Sequence, residues 1–326
     1  MSPSPATVLR IGTRGSALAL AQTQKIADQL SARGAEVEII TVKTHGDRST
    51  ESLATLGGTG VFASALRDAL LANECDVVVH SLKDLPTGPT PGLTIGAIPK
   101  RADARDALCA RDGLTLDTLP ENARVGTGSP RRAAQLLARR GHLEIVDIRG
   151  NVDTRLGLVV GGDTSTGSAQ RLDAVVLAAA GLERLGRADA VTEYLSLNGW
   201  PTAPGQGALA LEVRTGEEKL VSALDHKPSR ILVEAERAVL AQLEAGCAAP
   251  IAAHAFMEDG LLFLDARVYA PDGSAKITAS HALYLSDSPN PAADVAGRVA
   301  AELIALGAAD IAPLNPSAGP EVAGTE

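Results

Sequence analysis

Two periods alternate along this chain. Val8-Leu9-Arg10-Ile11-Gly12-Thr13 reads as a strand. From Gly15-Ser16 the pattern switches to helical spacing, with Leu18, Gln22, Ile26 and Leu30 on one stripe as far as about Arg33. Val37–Val42 predicts a second strand, Val61–Leu71 a second helix, and Asp76-Val77-Val78-Val79-His80 a short buried strand. Such alternation predicts an α/β unit with a largely parallel sheet, whose ligands sit beyond the carboxyl ends of the strands.

A second unit starts near residue 105 and keeps the same rhythm. Arg124–Thr127 predicts a strand, Ser129 a helix cap with Pro130 at the first helical position, and Glu144–Ile148 another strand. Asn151–Val160 begins as a helix and Asp173–Ala178 is a strand, with the flexible Gly/Ser-rich stretch 161–168 between them. Gly/Pro-rich 202–208 leads into a strand over Ala208–Val213 and reads as a hinge returning the chain to the first unit, or as a plain turn. A third unit begins near Pro228. Ile231, Ala235, Ala238, Val239, Gln242 and Leu243 mark an amphipathic helix. Strands follow at Ile251–Met257, Leu261–Tyr269 and Ala275–Tyr284, then a helix over about Ala293–Leu306 and a polar tail, 315–326, expected to be disordered.

Composition narrows the class. The 326 residues suit two or three domains, and 45% hydrophobic with 21% charged residues is normal for a globular enzyme. No run of about 18 apolar residues is present, so no transmembrane helix is expected. Met1–Thr7 lacks the basic start and apolar core of a signal peptide and is expected to be a short disordered lead. Cys75, Cys109 and Cys247 form no CxxC pair, which disfavours a disulfide framework or structural zinc and favours the cytoplasm. His45, His142, His226, His254 and His281 show no ligand spacing, so no metal is expected. A net charge of −9 and 2% aromatic residues argue against nucleic acid as partner. Within this acidic chain, Arg124, Arg131, Arg132, Arg139, Arg140, Arg149 and Arg155 cluster, which suits a small polyanionic ligand.

Candidate chemistry gathers at the strand ends. Thr13-Arg14-Gly15-Ser16 opens a helix after a strand, where backbone N–H groups and side-chain donors attract anions. Thr127-Gly128-Ser129-Pro130-Arg131-Arg132 repeats the design, and Arg149-Gly150-Asn151-Val152-Asp153-Thr154-Arg155 lies at the next strand end. Ordinary capping with surface arginines would look the same at any one of them. His80-Ser81-Leu82-Lys83-Asp84-Leu85-Pro86 follows a buried strand, where α/β enzymes keep catalytic groups, although a Lys–Asp surface pair would also fit. Gly57-Gly58-Thr59-Gly60 is a flexible loop without the GK[ST] ending of a phosphate loop. Cys247 sits in Gly246-Cys247-Ala248-Ala249-Pro250, where little crowds its sulfur: a carrier of a covalent group, or an apolar filler.

In this order and over nearly the whole chain, these segments, with Gly181-Leu182-Glu183-Arg184-Leu185-Gly186 and Pro204-Gly205-Gln206-Gly207, resemble the porphobilinogen deaminase (hydroxymethylbilane synthase) family. The resemblance implies three domains: two periplasmic-binding-protein-like α/β lobes with mixed, largely parallel sheets, and a smaller C-terminal α+β domain. The expected limits are 1–103 with 204–224, then 104–203, then 225–314. It implies a transferase of tetrapyrrole (haem) biosynthesis. A dipyrromethane cofactor, self-assembled from substrate and held by Cys247 through a thioether, would receive four porphobilinogen units with release of ammonia, before hydrolysis to hydroxymethylbilane. Asp84 would be catalytic. Lys83, Asp84, Thr127, Ser129, Arg131, Arg132, Arg155 and Arg184 would bind the cofactor. Arg14, Ser16, Arg149, Arg155 and Gln206 would bind substrate. A cytoplasmic monomer with no nucleic-acid or membrane partner is expected. Thr55 and Thr59 stand where the family's lid often has lysines, and Gly128 where it has serine. The competing classes are a non-enzymatic two-lobed cytosolic anion-binding protein, which would need neither Cys247 nor Asp84, and a nucleotide-binding transferase, which lacks its fingerprint here.

Overall fold

A computed structural model describes residues 8–42, 60–159, 171–243 and 249–314. The expectations for 1–7, the 55–59 loop, 161–168, Cys247 and the 315–326 tail lie outside the described residues. Among the described residues no helix is long and apolar enough to cross a membrane.

The first lobe contains β1 (Leu9–Arg14), α1 (Ala17–Ser31), β2 (Val37–Val42), α2 (Gly60–Leu71), β3 (Val77–Ser81) and β4 (Leu93–Ala97). The chain then crosses to the second lobe, with β5 (Asp106–Ala110), β6 (Arg124–Gly126), α3 (Pro130–Arg139), β7 (Glu144–Val146), α4 (Val152–Leu156), β8 (Ala174–Ala178), α5 (Ala179–Arg184) and β9 (Glu193–Tyr194). It returns as β10 (Leu209–Arg214). The two sheets have matching orders, β2-β1-β3-β10-β4 and β7-β6-β8-β5-β9. In each, the first three strands are parallel, and the strand entering from the other lobe lies antiparallel between its neighbours. The lobes are therefore the same design with one strand exchanged at the crossover.

The sequence explains these sheets. Val77–His80 and Asp106–Ala110 are buried throughout, as strands covered on both faces require. In α1 the stripe Gln22, Thr23, Ile26, Ala27 and Leu30 is buried, and the Ser16 hydroxyl accepts from the Ala19 N–H at 3.3 Å, which starts the helix after β1. β4 and β5, short and without a clean alternation, carried no prediction.

The third domain packs α6 (Lys227–Gln242) and α7 (Pro291–Ala305) on the antiparallel sheet β11 (Ile251–Glu258), β12 (Leu261–Tyr269) and β13 (Lys276–Tyr284), and ends with α8 (Ala308–Ile311). Leu262, Leu264, Ala266 and Val268 alternate inward along β12 and meet Val239, Leu243, Val295, Val299 and Leu303 from the helices. This domain is fastened to both lobes. Ala253 N donates to Thr202 O at 2.9 Å, and Arg267 to the carbonyls of Asn198 and Gly199. Against the first lobe, α6 supplies the ion pair Arg101–Glu236 at 2.7 Å.

Candidate active site

β1 and β3 are parallel neighbours, so their carboxyl ends deliver residues 14–16 and 81–84 to one place. There an open pocket of about 530 Å³, including the space that opens to solvent, is lined by Arg14, Ser16, Gln22, His80, Ser81 and Asp84, with an apolar side of Leu18, Ala63, Leu66 and Val79. Leu82–Asp84 forms a single short helical turn. Leu85 N donates to Leu82 O at 3.1 Å, and buried Leu82 anchors the turn that carries Lys83 and Asp84 at the sheet end. Gln22 and Ser81 are bonded side chain to side chain at 3.2 Å. Behind them His80 Nε2 lies 3.1 Å from Glu212, whose carboxylate is gripped by the Arg67 guanidinium.

The second lobe repeats this arrangement. Ser129 caps α3 by accepting from Arg132 N at 3.5 Å, and Thr127 Oγ1 accepts from Ser129 N at 3.2 Å. At Gly128 an added Cβ would stand 2.8 Å from Ile148 O, so the missing side chain lets these strand ends approach. Arg149 is 37% exposed and loosely paired with Asp147 at 3.6 Å. Arg155 donates Nε to Gly150 O at 2.9 Å. Arg184 ends α5 and donates Nη2 to Gly207 O at 2.7 Å, while its Nε is buried with no partner.

Arg131 and Arg132 have a different setting. Both are buried, and both bind Asp106, the fully buried first residue of β5: Arg131 Nη2 at 2.9 Å, Arg132 Nε at 3.0 Å and Nη2 at 2.6 Å. Trp200 Nε1 and Gln206 Nε2 donate to the same carboxylate at 2.9 and 2.8 Å. Burial disfavours the Asp106 charge, yet the two guanidiniums prevail and hold its carboxyl far below the usual range. Gln206 is buried at the crossover: its oxygen accepts from Lys83 Nζ at 3.2 Å, so it joins the Leu82–Asp84 turn of one lobe to the Asp106 cluster of the other. Gly207 beside it has φ +85°, and a Cβ there would meet Ala102 O at 2.8 Å, so the closely paired crossover segments need glycine.

Lys83 and Arg155 both feel the charge of Arg132. Burial, then the nearby charge of Arg132, pushes the Lys83 ammonium down to about 8. Arg155 is lowered by burial, then by Arg132 and Arg149. Asp106 engages Arg131 and Arg132 and Asp147 engages Arg149, so the local potential about Arg155 and Lys83 stays positive.

Sequence reasoning missed Asp106 and Glu236. Glu236 had a signal, since it falls on the apolar stripe of its helix at Leu232, Val233, Val239, Leu240 and Leu243, whereas Asp106 leads a strand that carried no prediction.

Fold and site together define a two-lobed α/β protein whose strand ends converge cationic side chains on an aspartate, with a third domain fastened to both lobes. The family model described as "Porphobilinogen deaminase, dipyromethane cofactor binding domain" matches residues 9–222, and "Porphobilinogen deaminase, C-terminal domain" matches 230–305. A porphobilinogen deaminase of Leifsonia xyli subsp. xyli is 62% identical, covering 94% of this chain and 95% of its own. That of Cutibacterium acnes is 52% identical, covering 95% and 98%. Among solved structures, the methionine binding protein MetQ aligns at 13% identity with a TM-score of 0.41, over 67% of this chain and 89% of that one; the two-lobed architecture rests on the sheet orders. The chain belongs to the porphobilinogen deaminase family.

Proposed function

We propose that this chain is a transferase of tetrapyrrole synthesis that joins four porphobilinogen molecules, releasing ammonia each time and finally hydroxymethylbilane. The observation that carries this reading is the position of Asp84, which lines an open pocket together with Arg14 and adjoins Lys83.

The side chains suit a dipyrromethane bearing acetates and propionates. Arg184 Nε is a buried donor without a partner, and Arg149 is only loosely engaged. Lys83, Thr127, Ser129, Arg155 and Arg184 would hold such carboxylates, with Cys247 as the covalent anchor. When bound, the dipyrromethane supplies the pyrrole carbon to which new units are joined. Arg14, Ser16 and Arg149 would bind the acetate and propionate of incoming porphobilinogen. Its loss of ammonia leaves positive charge on the pyrrole nitrogen, and the Asp84 carboxylate accepts that N–H and stabilises the charge. Arg131 and Arg132 act through Asp106, holding the second lobe's helix start in place while adding positive potential. Gln206 keeps Lys83 in register with that cluster. The reading includes the three-domain limits given above and a cytoplasmic monomer.

The test is the intact mass of the purified protein beside a Cys247→Ser variant. An excess of two linked pyrrole units, absent from the variant, is expected. An unmodified protein that porphobilinogen fails to load would sink the reading.

A further inference from the structure

Helix α6, which leads in sequence to the Cys247 segment, also grips the turn that carries Asp84. Arg237 Nη1 donates to Leu82 O at 3.1 Å and to Leu85 O at 2.9 Å, and its Nη2 donates to Pro86 O at 2.7 Å. Three carbonyls of one five-residue stretch are thus held by a single planar guanidinium from another domain. One helical turn earlier, Val233 is fully buried against Leu82 and Leu85. Other bonds also hold the turn. Its own closure is the bond from Leu85 N to Leu82 O, and Leu82 N donates to Ala208 O at 3.0 Å. The neighbouring Lys83 ammonium bonds Gln206, so the side chain of Asp84 is flanked on both sides by anchored residues.

We propose that Arg237 is a positioning residue for Asp84: it fixes the backbone on either side of the aspartate, and so couples the domain that bears Cys247 to the pocket where the reaction takes place. This rests on the reading of Asp84 given above. The guanidinium is essential to the role because its fork spans separate carbonyls, which a lysine ammonium on a flexible stem reaches one at a time. Displacing a reacting group by about an ångström is enough to cost on the order of a hundredfold in rate.

The test uses full-length Arg237→Lys and Arg237→Met, each also in an Asp84→Glu background, with turnover expressed per molecule that carries the cofactor mass. Arg237→Lys keeps the charge and volume and serves if the methionine variant does not fold. The expected result is a kcat lower by about 10- to 100-fold, with the KM for porphobilinogen within about twofold of the parent. In the Asp84→Glu background the same substitution should lower kcat by less than about threefold, because the carboxylate is already misplaced. Parent-like kcat in both variants overturns the proposal. So does a loss of the same factor in both backgrounds, or a loss confined to KM. If Asp84→Glu and Asp84→Ala turn over like the parent, the reading of Asp84 fails; if they are impaired while Arg237→Met is not, only the positioning role fails.

Discussion

Glu236→Gln gives the sharpest test of how the three domains are held together. The carboxylate is fully buried, and each oxygen accepts two bonds. Oε1 takes Arg101 Nη1 at 2.7 Å and Ala255 N at 2.9 Å; Oε2 takes Arg101 Nη2 at 2.9 Å and Gly205 N at 2.8 Å. Four donors converge, so an amide NH2 in place of either oxygen faces two N–H groups and leaves Arg101 buried without its counter-charge. Breaking one partner of a buried ion pair costs roughly 3–5 kcal/mol. The titration gives a second figure. Burial would raise the Glu236 pKa, but Arg101 and His254 overcome it and lower the value from 4.5 to about 2. At about 1.36 kcal/mol per pH unit, this is worth about 3 kcal/mol of folding free energy at neutral pH.

The sign follows from the depressed folded-state pKa. The contribution is complete above about pH 4.5 and is lost as the pH falls from there toward 2. Urea unfolding of parent and variant should therefore differ by about 3 kcal/mol at pH 7 and by about 2 kcal/mol at pH 3.5. A gap below about 1 kcal/mol at pH 7, or one that fails to narrow in acid, would refute the argument that this carboxylate is a charged clamp.

Asp106→Asn should destabilise by roughly 3–5 kcal/mol in the same assay, because it leaves two buried guanidiniums facing an amide; Arg149→Ala should cost less than about 0.5 kcal/mol yet raise the KM for porphobilinogen. Equal effects on stability would contradict the division between locked and available arginines. Lys83, lowered to about 8, is cationic below that pH, so its hold on the cofactor carboxylates should weaken as pH increases through 8: kcat per cofactor-loaded molecule should fall there, and Lys83→Arg should remove the break. Gly273→Ala, at φ +73° with a Cβ 2.5 Å from Ala138 N, should loosen the contact of the third domain with α3 and lower the thermal midpoint by several degrees, on the order of 1–3 kcal/mol; an unchanged midpoint would show that the β12–β13 turn does not bear on the second lobe.

Most of the elements were legible because their signals are local. Ser16 before the α1 stripe, Pro130 after Ser129 and the buried run 77–80 each act within one turn or one strand, and the structure puts helix starts and strand ends where those signals fall. Asp84 could be placed at the end of β3 for the same reason. The partners of the charges could not be read this way. Arg131 and Arg132 look in sequence like anion ligands at a helix start, and the structure adds a partner the sequence did not show, Asp106 from a strand 25 residues earlier, with Trp200 and Gln206, which reach it across 94 and 100 residues. Periodicity reports whether a position is buried and says nothing about what waits there. Its one usable signal was a violation of its own rule. A carboxylate among Leu232, Val233, Val239 and Leu243 is too costly to bury unless another element brings a cation, so Glu236 announced an interdomain contact without naming Arg101. Its neighbour Arg237 lies just off that stripe and gave no such signal. The same helix thus binds the Gly205 segment through a residue that sequence pattern flags, and the Leu82–Asp84 turn through one that only the fold reveals.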